Sequence, residues 1–147
     1  MKHDPRTETA EYEGDDLEAL STMHRYREWI ITHFEPYLTG DAVEIGAGIG
    51  NIANHIAPHV RSLLLVEPSS RLIERLENRF IENSKISIVH RDFETFVADR
   101  SDGVFDCVIL VNILEHIEDD ESALRECHRI LRPGGNLLLL VPALFFV

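Results

Sequence analysis

The sequence predicts a doubly wound α/β domain, in which apolar strands and amphipathic helices alternate around a parallel sheet. Five short apolar runs recur along the 147 residues, at Ala42 to Ile45, Leu63 to Val66, Ile86 to Val89, Phe105 to Val111 and Leu137 to Val141, with helical patterns between most of them. The segment Val43-Glu44-Ile45-Gly46-Ala47-Gly48-Ile49-Gly50-Asn51 carries the first run into three alternating glycines and then a helix-like stretch. Glycine lets backbone approach a ligand closely and adopt positive φ, and such a turn sits where an open α/β sheet binds nucleotides. Phe105 to Val111 is nearly unbroken in its apolar character, as a central strand covered on both faces requires.

The elements follow in order. Residues 1–22 form an acidic arm with seven carboxylates before residue 20, few apolar anchors and one proline, and are expected to be mobile. The folded domain is expected over 23–147. Met23, Tyr26, Ile30, Phe34 and Tyr37 recur at three and four residues, predicting a helix that ends or kinks near Pro36. The aromatic set Tyr26, Trp29, Phe34 and Tyr37 reads as core packing. Strand one and the glycine turn lead to a helix with Ile52, Ile56 and Val60 on one side, and then to strand two. A second helix follows Pro68-Ser69-Ser70 with Leu72, Ile73, Leu76 and Phe80 as its buried stripe. No element is assigned between Phe93 and Phe105. Asp119 to Leu131 is helical, with Leu124, Cys127, His128 and Leu131 on one face, acids at its start and Arg129 and Arg132 at its end, matching the helix dipole. Pro133-Gly134-Gly135 closes it ahead of strand five.

Composition narrows the ligand. A net charge of −12 disfavours a nucleic-acid backbone as partner and favours a small molecule. Cys107 and Cys127 lack metal-ligand spacing and read as buried thiols in a reducing compartment. The start of the chain is acidic and polar where a signal peptide is basic and then apolar, and no run is long enough for a membrane span, so a cytoplasmic address is expected.

The chemistry-bearing residues fall at the ends of the strands. Glu44 lies two residues before Gly46, where a carboxylate repels a pyrophosphate but suits a cation; an acid in an apolar strand is also costly to bury without a partner. Glu67 ends strand two, seventeen residues after Gly50, where a carboxylate can accept from both hydroxyls of a ribose. It could instead cap the following helix. Asp92 and Phe93 end strand three, suited to an adenine amino group and an adenine ring, or Asp92 could simply close a turn. Asn112-Ile113-Leu114-Glu115-His116-Ile117 follows strand four, and Leu131-Arg132-Pro133-Gly134-Gly135 leads into strand five.

With this ordered set the chain resembles the class I S-adenosylmethionine-dependent methyltransferases, closest to a small-molecule group that reads E-h-G-x-G-x-G, an acid after strand two, and L-x-P-G-G before strand five. The resemblance covers roughly residues 23 to 142. It implies a Rossmann-like sheet in the order 3-2-1-4-5, S-adenosylmethionine as cofactor, and methyl transfer to a small-molecule acceptor. It also implies that Glu44 and the backbone of Gly46, Gly48 and Gly50 border the methionine part of the cofactor, that Glu67 holds the ribose and Asp92 the adenine amino group, and that Asn112 lies beside the methionine ammonium. His116 has three readings: a general base toward an acceptor hydroxyl, a metal ligand together with Glu115 as in quinone-biosynthesis O-methyltransferases, or a helix entry without chemistry. Asn112 stands where that metal pattern has its first acid, so no metal is assigned. Gly48-Ile49-Gly50-Asn51-Ile52-Ala53 also fits a dinucleotide pattern, which keeps an NAD-dependent oxidoreductase open beside a binding module without catalysis.

Members of this class usually continue beyond strand five into a helix and an antiparallel strand pair. Here the sequence ends at Leu144-Phe145-Phe146-Val147, an apolar end beside an edge strand. A truncated polypeptide is expected, with self-association through strand five.

Overall fold

The computed structural model describes residues 24–142. The acidic arm and the Leu144 to Val147 end lie outside these residues. Five strands, β1 (Asp41–Ile45), β2 (Ser62–Glu67), β3 (Ile86–His90), β4 (Phe105–Val111) and β5 (Leu131–Leu140), form one sheet in the order β3-β2-β1-β4-β5. Every pairing is parallel. Order and composition of the sheet are those the resemblance implies.

Helices cover both faces. On one lie α1 (His24–Phe34), the short α2 (Ala53–Ile56) and α3 (Ser70–Phe80), on the other α4 (Phe93–Ala98) and α5 (Asp120–Ile130). The pleat explains the split. Ala42, Leu65, Cys107 and Ile109 face Ile30, Phe34, Ile56, Leu76 and Phe80. Their neighbours in the strands, Val43, Ile45, Val66, Val108 and Leu110, face Phe96, Val97, Cys127 and Ile130. Full burial of side chains such as Ile30, Ile109 and Phe96 contributes roughly 1.5–3 kcal/mol each.

Several local expectations change. α4 occupies the interval without an assigned element, because Asp92 caps its first turn and Phe96 and Val97 bury on the sheet. The buried stripe of α5 is Ala123, Cys127 and Ile130 rather than one through His128, which is exposed. The helix after the glycine turn has one α-helical turn before Pro58 tightens it into a 3₁₀ turn at Ala57–His59. Of the aromatic set only Phe34 is buried: Trp29, beside Ile30 on α1, and Tyr37, in the 3₁₀ turn Glu35–Tyr37 that follows, are about half exposed, at 51% and 55%. β5 begins directly after α5, with Leu131 opposite Phe105; residues 132–135 then bulge out and pairing resumes at Asn136 opposite Cys107. Pro133 and Gly134, the latter at φ +81°, make that bulge rather than ending the helix at a distance.

A network of charges ties the amino-terminal ends of the strands. The Asp106 carboxylate accepts from the Asp41 N–H at 2.7 Å and from Arg132 at 2.6 Å, while Asp41 accepts from Arg61 and from Ser62. This locks β1, β2, β4 and β5 in register and leaves the opposite, carboxyl-terminal edge for ligands.

Candidate cofactor site

At that edge lies a cavity of about 880 Å³. Its floor is the glycine turn. Gly46 and Ala47 donate backbone N–H bonds to Val66 O at 2.8 and 3.1 Å, which pins the exit of β1 to β2. At Gly50, φ is +78° and an added Cβ would sit 2.4 Å from the Phe80 ring, so glycine is required by both conformation and packing. At Gly46, also at positive φ, a Cβ would meet the Ile113 side chain at 2.1 Å.

Three acids stand around this floor. Glu44 is 3% exposed, and its Oε2 has no hydrogen-bond partner in the structure. Burial, with the Glu67 charge adding to it, pushes its carboxyl up to about 8. Glu67, 5% exposed, accepts from the Gly48 N–H through Oε2 and from the Ser69 N–H through Oε1, both at 2.9 Å. It therefore does bind the turn that begins the next helix, and it also clamps the glycine turn. Burial raises its carboxyl, and the two backbone donors oppose that rise. Asp92 caps α4: its Oδ1 accepts from the Thr95 N–H at 2.8 Å and from the Thr95 hydroxyl. These two hydrogen bonds hold its carboxyl below the usual range. Asp92 and Phe93 nonetheless line the cavity, as do Glu44, Glu67, Asn112 and His116.

Asn112 is the one non-glycine residue at positive φ among those described, at +56°. Asparagine tolerates this conformation, which turns the chain across the cavity directly after β4 while the Asn112 N–H bonds Leu140 O at 2.9 Å. His116 follows in a 3₁₀ turn and lines the cavity, whereas the adjacent Glu115 does not. Among the described residues no three His, Cys, Asp or Glu side chains cluster as a metal site.

Two residues were not singled out by the sequence. Arg27 of α1 is 8% exposed and lines the cavity, the buried one of three arginines on its wall beside Arg71 and Arg91. Its position in the helical stripe, three residues before Ile30, was the available signal. Arg79 of α3 donates to Ile49 O at 2.8 Å and to Asn51 Oδ1 at 3.1 Å, holding the glycine turn from outside. Nothing local in the sequence marks that pairing across twenty-eight or thirty residues.

A parallel sheet whose carboxyl edge carries a glycine turn followed by acids at the end of β2 and just after β3 defines a domain that binds an adenosine-containing cofactor. Within that class, the chain belongs to the methyltransferase-domain family, which matches residues 43–139. The match decides between the two enzyme readings and does not favour the oxidoreductase. A ubiquinone biosynthesis O-methyltransferase from Methylococcus capsulatus is 27% identical over 123 residues, covering 83% of this chain and 52% of that protein. A solved S-adenosylmethionine-dependent methyltransferase from Methanococcus maripaludis aligns with a TM-score of 0.68 at 20% identity, over 93% of this chain and 65% of that one. A phosphoethanolamine N-methyltransferase from Haemonchus contortus, solved with phosphoethanolamine and S-adenosylhomocysteine, aligns with a TM-score of 0.69 at 25% identity, over 82% of this chain and 25% of that one. The chain spans about half or less of the length of the curated relatives it matches.

Proposed function

We propose that this domain binds S-adenosylmethionine and supports transfer of its methyl group to a small-molecule acceptor. One observation carries the reading beyond the family: a buried carboxylate, Glu44, with an oxygen lacking any partner, lines a cavity floored by a glycine turn. Such an atom is costly unless a donor or a cation reaches it. The remaining donor set fits the same ligand. Glu67 retains acceptor capacity beyond its two backbone bonds and is assigned the ribose. Asp92, with one oxygen in the helix cap, keeps the other for an adenine amino group, and Phe93 packs against the ring. Asn112 is assigned the methionine ammonium.

When bound, S-adenosylmethionine supplies an already activated sulfonium methyl. The chain's contribution is then positioning and shielding. The Gly46 to Gly50 turn sets the depth of the site, Glu67 and Arg79 keep that turn rigid, and Tyr26 and Arg27 of α1 wall the cavity on one side. His116 is assigned as the general base, at the rim, accepting a proton from an acceptor that must be deprotonated. The acceptor is taken as a small molecule on the strength of the net charge of −12, and the two buried free thiols support a reducing, cytoplasmic setting. No described helix is long and apolar enough to cross a membrane.

Calorimetric titration with S-adenosylmethionine, S-adenosylhomocysteine and NAD tests the assignment. Binding of the first two and not of NAD is expected; tighter binding of NAD overturns it. A methyl-release assay then separates an enzyme from a binding module.

A further inference from the structure

We propose that this site exchanges a proton for its cofactor: the Glu44 carboxyl is protonated in the empty domain and gives up its proton to solvent when S-adenosylmethionine or S-adenosylhomocysteine enters. The inference rests on the cofactor assignment above and adds to it a coupling between binding and pH.

The geometry supplies the reason. Glu44 sits mid-sheet in β1, paired on one side with Leu65 of β2 and on the other with Ile109 of β4, so its backbone cannot move away. Its side chain is 3% exposed, and Oε2 has no hydrogen-bond donor. The charged and titratable groups around the same cavity are Arg27 on α1, Glu67 on β2, Arg71 on α3, Arg91 and Asp92 after β3, and His116 after β4. The charge that bears on Glu44 is the carboxylate of Glu67, which adds to the effect of burial. Glu67 cannot relieve the pair by turning away, because both its oxygens are held by the backbone N–H groups of Gly48 and Ser69. Two buried carboxyls side by side do not both ionise cheaply, and the one whose Oε2 lacks a donor keeps its proton. A ligand with a cationic end reverses that balance: the O–H bond of Glu44 breaks, its electron pair stays on the carboxylate, and the proton leaves to buffer. Binding then changes the net charge of the site by the charge of the ligand less one.

The test is calorimetry of S-adenosylhomocysteine and S-adenosylmethionine binding to the whole chain in phosphate and in Tris at neutral pH. The dependence of observed enthalpy on buffer ionisation enthalpy counts protons. Release of about one proton is expected, with affinity rising about tenfold per pH unit below the Glu44 titration and flattening above it. Glu44→Gln should abolish the difference, and subtracting its signal removes any titration of the ligand's own amine. 5′-Methylthioadenosine, which has neither the ammonium nor the sulfonium, should bind without proton release; this keeps the wild-type result decisive even if Glu44→Gln does not fold. Binding without proton exchange in the wild type, or exchange that persists in Glu44→Gln and disappears in Glu67→Gln, overturns the proposal. Absence of binding by either cofactor form strikes the cofactor assignment itself, a different result from binding with no proton released.

Discussion

Glu67 and Gly48 are joined by a 2.9 Å hydrogen bond from the glycine N–H to Oε2, nineteen residues apart in sequence and at the centre of the cavity floor. One carboxylate thus shapes the turn and lines the cavity. Replacement of Glu67 by Ala leaves the Gly48 and Ser69 N–H groups without their acceptor. Affinity for S-adenosylhomocysteine should fall by roughly 1.5–3 kcal/mol, the range for hydrogen bonds to a charged group. Titration calorimetry beside circular dichroism checks this; unchanged affinity with a lowered melting temperature would leave Glu67 a purely structural clamp.

Asp92 separates its two duties by substitution. Asparagine caps helices as well as aspartate, so Asp92→Asn should leave the melting temperature nearly unchanged, whereas Asp92→Ala should cost about 0.5–2 kcal/mol of stability. If Asp92 also accepts from an adenine amino group, the Asn variant loses cofactor affinity because it presents an amide N–H where an acceptor is needed. Equal affinity in wild type and Asp92→Asn would confine the residue to capping.

Glu44 makes the empty domain less stable as pH rises. Its folded-state value near 8 lies above the 4.5 of an ordinary glutamate, so between these the unfolded chain holds fewer protons and unfolding becomes easier with increasing pH. The contribution is fully present below the unfolded value and lost through the folded one. Glu44→Gln should therefore raise stability at pH 8 and above by about 2–4 kcal/mol and flatten the pH profile of the melting temperature. A slope unchanged in the variant would assign it to another group.

Asp41 and Asp106 act in the opposite sense. Both carboxyls are held below the ordinary 3.8 of aspartate, Asp41 mainly by Arg61 and Asp106 mainly by the Asp41 N–H and Arg132. Their stabilisation is present above that ordinary value and is lost as pH falls below it. Asp106→Asn should shift the acid unfolding midpoint upward and leave cofactor affinity intact, since the network lies at the far end of the sheet.

Gly50→Ala should destabilise the domain by about 1–3 kcal/mol and weaken binding, because the new methyl group meets the Phe80 ring in a backbone conformation that alanine resists. Thermal melts and titration of the variant check both effects. Gly134→Ala, at similar φ but with nothing within 4 Å of its Cβ, should lose stability through backbone strain alone and leave binding unchanged.

The sheet was legible from residue order because β1 to β4 and the latter half of β5 are short apolar runs, and apolar runs report burial directly; the start of β5 at Leu131 was not, since Arg132 to Asn136 break the apolar pattern. β4 was read to its boundaries at Phe105 and Val111. The glycine turn was legible for a related reason: alternate positive φ values demand glycine, so the backbone's requirement is written in residue identity. α4 was not, since six residues are too few to show a helical period and its formation depends on the Asp92 cap and on burial of Phe96. The sequence by itself determined the class of fold, the turn, and the acid that ends β2; Asp92, read as ending β3, instead caps α4 two residues after His90 closes that strand. Only the tertiary structure decided that Glu67 grips Gly48, that Asp92 spends one oxygen on a helix cap, that Arg27 is buried in the cavity wall, and that Glu44 has an oxygen without a partner. Those facts depend on distances between residues far apart along the chain, and a pattern of residue types holds no record of which polar atoms find each other once the backbone is folded.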